Sequence, residues 1–251
     1  MYSEPRYIGL LPAAGHAARM NGLIKELLPF GKKLTIDFSI EQLAAVPVDY
    51  AYVITSPRKA NYVFEQLGEE RGGIPFAYVC QSQPTGLGAA VSLIEPFVDQ
   101  GDKLCFLMPD TLMTPPDAMR RMSEVTDCDL VLGVHKVDDP WNYGVVAIKN
   151  GKCEEIVDKP KHPHSKYVWT SAIFDRKLFE IIRKLRDNKG EIQLTDAFAI
   201  ASRKLRVKPI VFDEGVYYDF GTLEKYNEAL SQPALAEITG RFKATRRAAK
   251  G

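Results

Sequence analysis

Residues 9–30, GLLPAAGHAARMNGLIKELLPF, have the composition of a strand that ends in a phosphate-binding loop. Small residues after Pro12 allow backbone N–H groups to approach phosphate oxygens, and the cations Arg19 and Lys25 would neutralise the phosphate charge. From Pro12 to Arg19 the loop has a single glycine, Gly15, so it matches neither a dinucleotide fingerprint nor a Walker loop. The alternative is a tight turn with two solvated surface charges.

Two aspartates occur where predicted strands end. Asp110 directly follows the apolar run KLCFLMP, and Asp219 stands in VYYDFGT, before a helix capped by Thr222. Ligands bind outside the carboxyl ends of strands in open α/β sheets, and two carboxylates there can share one Mg²⁺ ion with phosphate oxygens and waters. The alternative is that each aspartate only turns or caps its own segment.

Two further polar groups follow predicted strands. In QSQPTGLGAA, residues 81–90, the amide of Gln81 offers both a donor and an acceptor, as reading a pyrimidine edge requires. In VDKP, residues 157–160, Asp158 and Lys159 can take a sugar hydroxyl and a phosphate. The alternatives are a plain strand-to-helix turn for the first group and an exposed edge-strand charge pair for the second.

The elements that must position these residues alternate between strands and helices in the first half of the chain. This alternation predicts βαβ units and a mostly parallel sheet, with strands at 7–11, 50–54, 76–79, 103–108 and 129–134. Helices are predicted at 57–67, with Ser56 as its cap, and at 88–97.

The second half changes pattern. Asn150-Gly151 between 145–149 and 153–157 predicts a β-hairpin, because both turn positions favour positive φ. Further strands are predicted at 167–174, 207–212 and 216–219, and helices at 176–185, 194–205 and 222–230. The sequence therefore predicts one α/β domain, residues 1–233, with a mixed sheet and a small antiparallel insertion, followed by a solvated basic tail, residues 234–251.

Composition narrows the function classes. The net charge of +1 gives no support to sequence-independent nucleic-acid binding, and no apolar run approaches the ~20 residues that span a membrane. No signal peptide is evident, and the four cysteines form no CxxC pair, so we expect a cytoplasmic protein with buried thiols. No G-x-S-x-G elbow indicates nucleophilic catalysis.

Taken in order, eight segments resemble the sugar-1-phosphate nucleotidyltransferases, nearest to the bacterial UTP–glucose-1-phosphate uridylyltransferases and next to the glucose-1-phosphate thymidylyltransferases. The segments are LLPAAGHAARM, KELLPF, QSQPTGLGAAV, LMPDT, DDPWNYGVV, IVDKPK, GEIQLTDAF and YYDFGT. The resemblance covers residues 10 to about 222 and implies a Rossmann-like nucleotidyltransferase fold, a mostly parallel central sheet flanked by helices.

For the nucleotide side, the resemblance implies that Arg19 and Lys25 stabilise the triphosphate and the transition state. It places Mg²⁺ on Asp110 and Asp219. The positions that match the nucleotide loop and the base-reading contacts are Ala13, Ala14, Gly15, Gln81 and Gly86.

For the sugar side, the resemblance implies that Lys159 contacts the sugar phosphate and that Asp158 contacts sugar hydroxyls, at a position where the family usually has Glu. Tyr143 and Gly144 match a turn of the sugar pocket, and Ser171 stands where the family usually has a glycine near the sugar. A third departure is GHAAR, which replaces the usual Gly-x-Gly-Thr-Arg.

The reaction that the resemblance implies joins an NTP, with UTP or dTTP favoured, to a sugar 1-phosphate, with glucose 1-phosphate favoured, and releases pyrophosphate. Two alternatives stay open: a transferase of the same fold acting on a non-sugar phosphate such as phosphocholine, and a non-catalytic nucleotide-sugar-binding regulator. Whether the chain forms a homo-oligomer also stays open.

Overall fold

The structure is a computed structural model that describes residues 6–15, 22–186, 190–232 and 235, so nearly all of the predicted basic tail lies outside the described residues. The described helices are α1 (Thr35–Ala44), α2 (Ala60–Leu67), α3 (Leu87–Ser92), α4 (Ala118–Ser123), α5 (Lys177–Arg186), α6 (Leu194–Lys204) and α7 (Leu223–Ser231). One-turn 3-10 helices lie at Lys25–Leu27, Glu95–Phe97 and Pro140–Asn142.

The strands in the described part of the chain include several of only two or three residues. They are β1 (Tyr7–Pro12), β2 (Pro29–Phe30), β3 (Lys33–Leu34), β4 (Val48–Thr55), β5 (Glu70–Arg71), β6 (Ile74–Cys80), β7 (Lys103–Leu107), β8 (Thr111–Met113), β9 (Leu130–Lys136), β10 (Gly144–Lys149), β11 (Lys152–Asp158), β12 (Tyr167–Phe174), β13 (Val207–Val211) and β14 (Tyr217–Asp219).

Ten of these strands form one mixed sheet within the described residues, and β14 pairs with β8 in a small antiparallel sheet. The parallel part runs β7-β1-β4-β6, and β12 pairs antiparallel with β7 and with β9. The hairpin β10–β11 extends the sheet beyond β12. The predicted fold class, a mostly parallel sheet with an antiparallel insertion, is confirmed.

Helices cover both faces of the sheet because its strands are apolar on both sides. On one face Leu10 and Phe106 pack among residues of α3, α5 and α6. On the other face Leu11 and Leu107 pack among residues of α1, α2 and α4. Successive residues of one strand therefore pack into the hydrophobic cores on opposite faces of the sheet. This alternation fixes the register of the strands that carry the site.

The predicted hairpin is present. Asn150 has φ 52° and Gly151 has φ 71°, so both turn positions are left-handed as the Asn-Gly pair requires. The register pairs Gly144 with Asp158 at the open end, which brings the two ends of the hairpin together.

Some predicted boundaries were wrong. Helix α2 begins at Ala60 instead of residue 57, and its N-cap is Lys59, which makes no side-chain capping bond. Ser56 is not the cap, because its backbone carbonyl accepts turn hydrogen bonds from the N–H groups of Lys59 and Ala60. The predicted helix 88–97 is divided into α3 and the 3-10 turn that contains Pro96. Helices α1 and α4 were not predicted. Within the described residues no helix has the length and apolar character needed to cross a membrane.

Candidate active site

The loop after β1 lies at the carboxyl edge of the parallel strands. Ala13 is fully buried and continues the strand, because its N–H donates to the carbonyl of Ile54 at 2.6 Å. Gly15 is exposed, and a Cβ added there would lie 3.9 Å from Cε of Lys25. The predicted nucleotide loop therefore lies against the predicted catalytic lysine. Arg19, predicted to be the second cation of this loop, lies outside the described residues.

Lys25, Asp110 and Asp219 come together beside this loop. Lys25 begins a one-turn 3-10 helix, and its ammonium forms an ion pair with the Asp110 carboxylate. Asp219 is the last residue of β14 and pairs with Thr111, the residue after Asp110. The N–H of Phe220 also donates to the Asp110 carbonyl at 2.9 Å. The small β8–β14 sheet therefore brings together two aspartates that are 109 positions apart in the numbering of the chain.

This cluster holds two carboxylates, Asp110 and Asp219, and one ammonium, Lys25, so one negative charge is not balanced within the cluster. Burial and the nearby Asp110 carboxylate raise the pKa of Asp219. Burial alone would lower the pKa of Lys25, but Asp110, Glu26 and Asp219 outweigh it and raise that pKa. One carboxylate oxygen of Asp110 accepts from the Lys25 ammonium, whereas the other, Oδ1, is buried and has no hydrogen-bond partner among the described residues.

A cavity of about 770 Å³ opens on the other side of the nucleotide loop. The side-chain amide of Gln81 points to the carbonyl of Gly86 at 3.4 Å, a long hydrogen bond. The lining of the cavity includes Ala14, Gly15, Lys59, Tyr62, Gln81 and Pro84. The predicted base-reading residue thus shares one cavity with the predicted nucleotide loop.

Gly86 has a structural reason to be glycine. Its φ is 98°, and a Cβ there would lie 2.4 Å from the carbonyl oxygen of Ile192. Around it, the N–H of Gly88 donates to Ile192 at 2.9 Å and the N–H of Ile192 donates to Thr85 at 3.0 Å. The segment before α6 therefore holds the base-reading loop in place.

Tyr143, Gly144, Asp158 and Lys159 meet at the open end of the β10–β11 hairpin. Gly144 pairs with Asp158, and the N–H of Lys159 donates to the Tyr143 carbonyl at 2.9 Å. Lys159 is exposed and has φ 42°, a left-handed conformation that costs a non-glycine residue free energy and that occurs often at functional sites. The structure therefore brings the predicted sugar-side residues together, with Ser171 as the exception.

Ser171 is placed elsewhere. Its side chain is fully buried on the core face under α4, with Oγ 3.3 Å from the sulfur of Met122. A Cβ added at Gly133 would lie 2.2 Å from this Oγ, so Ser171 fills the space that Gly133 leaves. The prediction that Ser171 contacts the sugar is corrected, because its alternate position along β12 sends the side chain into the core.

Two contacts beside the sugar-side turn were not predicted from the sequence. Trp169 donates its indole N–H to Thr195 at 3.1 Å, and a Cβ at Gly144 would lie 2.0 Å from that nitrogen. Lys225 donates to the Tyr143 hydroxyl at 2.6 Å, and burial raises the pKa of Tyr143 to about 12. Both contacts join elements far apart in the chain, so no local pattern indicates them.

Comparison with known proteins defines the class first. A solved structure of a Bacillus anthracis protein, provisionally named glucose-1-phosphate thymidylyltransferase, matches with a TM-score of 0.83 and 26% identity, covering 94% of this chain and 96% of that one. The fold is thus that of a nucleotidyltransferase. The sequence model of the family described as Nucleotidyl transferase matches residues 12–234, and the chain belongs to this family.

Two curated relatives agree with this assignment. A glucose-1-phosphate thymidylyltransferase of Neisseria gonorrhoeae is 27% identical over 236 residues, covering 89% of this chain and 81% of the relative. The UTP–glucose-1-phosphate uridylyltransferase YngB of Bacillus subtilis is 26% identical over 250 residues, covering 84% of each. The resemblance predicted from the eight segments is confirmed.

Proposed function

We propose that this protein transfers a nucleotidyl group from an NTP, with UTP or dTTP preferred, to a sugar 1-phosphate, with glucose 1-phosphate favoured. The observation that carries the proposal is the grouping of Lys25, Asp110 and Asp219 beside the nucleotide loop. The names of the relatives, thymidylyltransferase and uridylyltransferase acting with glucose 1-phosphate, support the same substrates.

In the proposed reaction, an ionised oxygen of the sugar 1-phosphate attacks the α-phosphorus of the NTP. A new O–P bond forms, the bond from the α-phosphorus to the bridging oxygen breaks, and pyrophosphate leaves with that electron pair. No proton has to be removed from the attacking phosphate, so catalysis consists of positioning and charge stabilisation. Lys25 supplies positive charge at the triphosphate, and Lys159 orients the sugar phosphate from the hairpin.

Asp110 and Asp219 would hold a Mg²⁺ ion. The residues fit this ion because Oδ1 of Asp110 is buried with no partner in the part of the chain that the structure describes, and because the Asp219 carboxylate lies close enough to Asp110 to have its pKa raised. Mg²⁺ is commonly bound by one or two carboxylates together with substrate phosphates. When bound, it would neutralise charge on the reacting phosphates.

The test is incubation of the protein with each NTP and a panel of sugar 1-phosphates at millimolar Mg²⁺, with pyrophosphate release as the readout and mass spectrometry to identify the product. We expect UTP or dTTP with a hexose 1-phosphate to give an NDP-sugar. Absence of pyrophosphate with every pair would reject the proposal. Product formation only with a non-sugar phosphate would keep the reaction and change the acceptor.

A further inference from the structure

A buried ion pair lies directly beneath the nucleotide loop and has no part in the reaction described above. Lys59 is 6% exposed and Glu26 is 1% exposed. The Lys59 ammonium donates to both carboxylate oxygens of Glu26, at 3.1 and 3.3 Å, and to the carbonyl of Ala13 at 3.0 Å. The two Glu26 oxygens share one N–H of the ammonium and the Ala13 carbonyl takes another, so these contacts use two of its three N–H donors.

The three contacts join three segments of the chain. Ala13 belongs to the loop after β1, Glu26 to the 3-10 turn that also carries Lys25, and Lys59 to the turn before α2. Lys25 and Glu26 are adjacent, yet Lys25 pairs with Asp110 and Glu26 pairs with Lys59. The short turn is therefore held from both sides, by the proposed metal ligand on one and by Lys59 on the other.

The stability of the fold alone does not account for such a pair. Removing two charges from water is costly, and replacing a buried ion pair with well-packed apolar side chains is often neutral or stabilising. Burial also raises the pKa of Glu26, because an ionised carboxylate is costly in a medium of low dielectric constant, and the nearby Lys59 and Lys25 only partly oppose this rise. The pair does, however, fix the direction of a backbone carbonyl in the nucleotide loop.

We propose that Lys59 and Glu26 are positioning residues for the nucleotide. By holding the Ala13 carbonyl and the turn of Lys25 at fixed places, they orient Ala14, Gly15 and the Lys25 ammonium toward the same triphosphate. Lys59 also lines the cavity, and its contacts with Glu26 and with the Ala13 carbonyl tie it to the loop, so the proposed positioning acts through the loop. This inference rests on the proposed function, because it concerns the NTP of that reaction.

The test is a double variant, Glu26→Leu with Lys59→Met, which replaces the pair with apolar side chains of similar size. We expect a melting temperature close to that of the wild type or above it. We expect the Kd for UTP or dTTP, whichever supports turnover, to rise at least tenfold in calorimetric titration without acceptor. The KM for the NTP should rise in parallel, while the KM for the sugar 1-phosphate stays within twofold.

A matched control uses the ion pair at the opposite end of β1, where Arg6 donates to Asp102 at 2.6 and 3.0 Å. The double variant Arg6→Met with Asp102→Leu removes this pair, which lies just before β1 and β7 and about 20 Å from Ala13. We expect its NTP affinity to equal that of the wild type. The single variant Glu26→Gln, which keeps the side-chain volume, should raise the Kd for the NTP three- to tenfold.

The outcomes separate the two proposals. A folded Glu26→Leu, Lys59→Met variant with wild-type NTP affinity would overturn the positioning role and leave the proposed function intact. If that variant does not fold, wild-type NTP affinity in Glu26→Gln would overturn the role in the same way. A wild-type protein that binds no NTP and releases no pyrophosphate would overturn both proposals.

Discussion

The two ends of the candidate site are built in different ways. At the triphosphate end, Asp110 is 2% exposed, and Lys25 and Glu26 each have a buried partner of opposite charge. At the sugar end, Lys159 is exposed at the open end of a hairpin and adopts φ 42°. The first end lies at the carboxyl edge of the parallel strands, beside the small β8–β14 sheet, and the second lies on the antiparallel hairpin β10–β11.

Under the proposed function, this difference assigns the reaction to one end of the site and the choice of acceptor to the other. Buried charges tolerate little change, because removal of one partner leaves the other uncompensated in a medium of low dielectric constant. An exposed hairpin end can change its side chains at small cost in stability. We infer that the core end fixes nucleotidyl transfer, whereas the hairpin end adjusts which phosphate is accepted.

The largest expected effect comes from Asp110→Asn. The change removes the charge that pairs with Lys25 and one proposed metal ligand, so we expect kcat/KM to fall by about 10²–10³-fold or more. Stabilisation of the protein by Mg²⁺ with the NTP, measured as a shift in melting temperature, should be lost. Activity within tenfold of the wild type would contradict the comparison of the two ends, because the buried end would then not control nucleotidyl transfer.

A smaller effect is expected from Lys159→Gly compared with Lys159→Ala. Both remove one charge-assisted contact to the sugar phosphate, so the KM for that substrate should rise about 10–100-fold in each. Only glycine relieves the positive φ, so its free energy of unfolding should exceed that of the alanine variant by about 1 kcal/mol. Steady-state kinetics and urea unfolding measure the two effects.

Equal stability of the glycine and alanine variants would contradict the strained backbone at residue 159. If the KM for the sugar phosphate is unchanged in both variants, Lys159 does not contact that substrate, and the cation proposed for the hairpin end is wrong.

The smallest effect on activity is expected from Asp129→Asn. Asp129 precedes β9 at the edge of the sheet opposite Asp110, and it accepts hydrogen bonds from Lys177 at 2.6 Å and from Arg206 at 3.1 Å. Although burial alone would raise the pKa of this carboxyl, Arg206 and Lys177 outweigh burial and lower it. A lowered pKa adds stability above the ordinary Asp value of about 3.9, and that stability is lost as the pH falls below it.

We therefore expect Asp129→Asn to melt about 2–6 °C below the wild type at pH 7 and to keep its kcat/KM within twofold. The difference in melting temperature should narrow as the pH falls below about 4. A large loss of activity would show that charge at the far edge also governs the reaction.

Much of the fold was predictable because it depends on local patterns. Alternating apolar runs located the long strands, Asn150-Gly151 located the hairpin, and Thr222 caps α7 as predicted, with its hydroxyl accepting from Lys225 N–H at 3.2 Å. Helix α1 was not predicted because its N-cap, Leu34, is not a capping residue type. The capping contact comes instead from Asp37, whose carboxylate accepts from the Leu34 N–H at 2.8 Å.

For the candidate site, the sequence by itself determined which residue types follow the strands: Lys25, Gln81, Asp110, Lys159 and Asp219. It did so because the ends of strands can be predicted from the sequence and, for Gln81 and Asp110, because the carboxyl ends of parallel strands lie at one edge of the sheet. It could not determine which face Ser171 takes, since one shift in a strand of period two reverses the face.

Only the tertiary structure decided how these side chains are paired. It places Asp219 beside Thr111 through the β8–β14 sheet, buries Oδ1 of Asp110 with no partner among the residues it describes, and pairs Lys59 with Glu26 and with the Ala13 carbonyl. Each pairing joins residues tens of positions apart in the chain. Ion pairs and hydrogen bonds act over a few ångströms in space, and that proximity is created by the packing of the whole sheet.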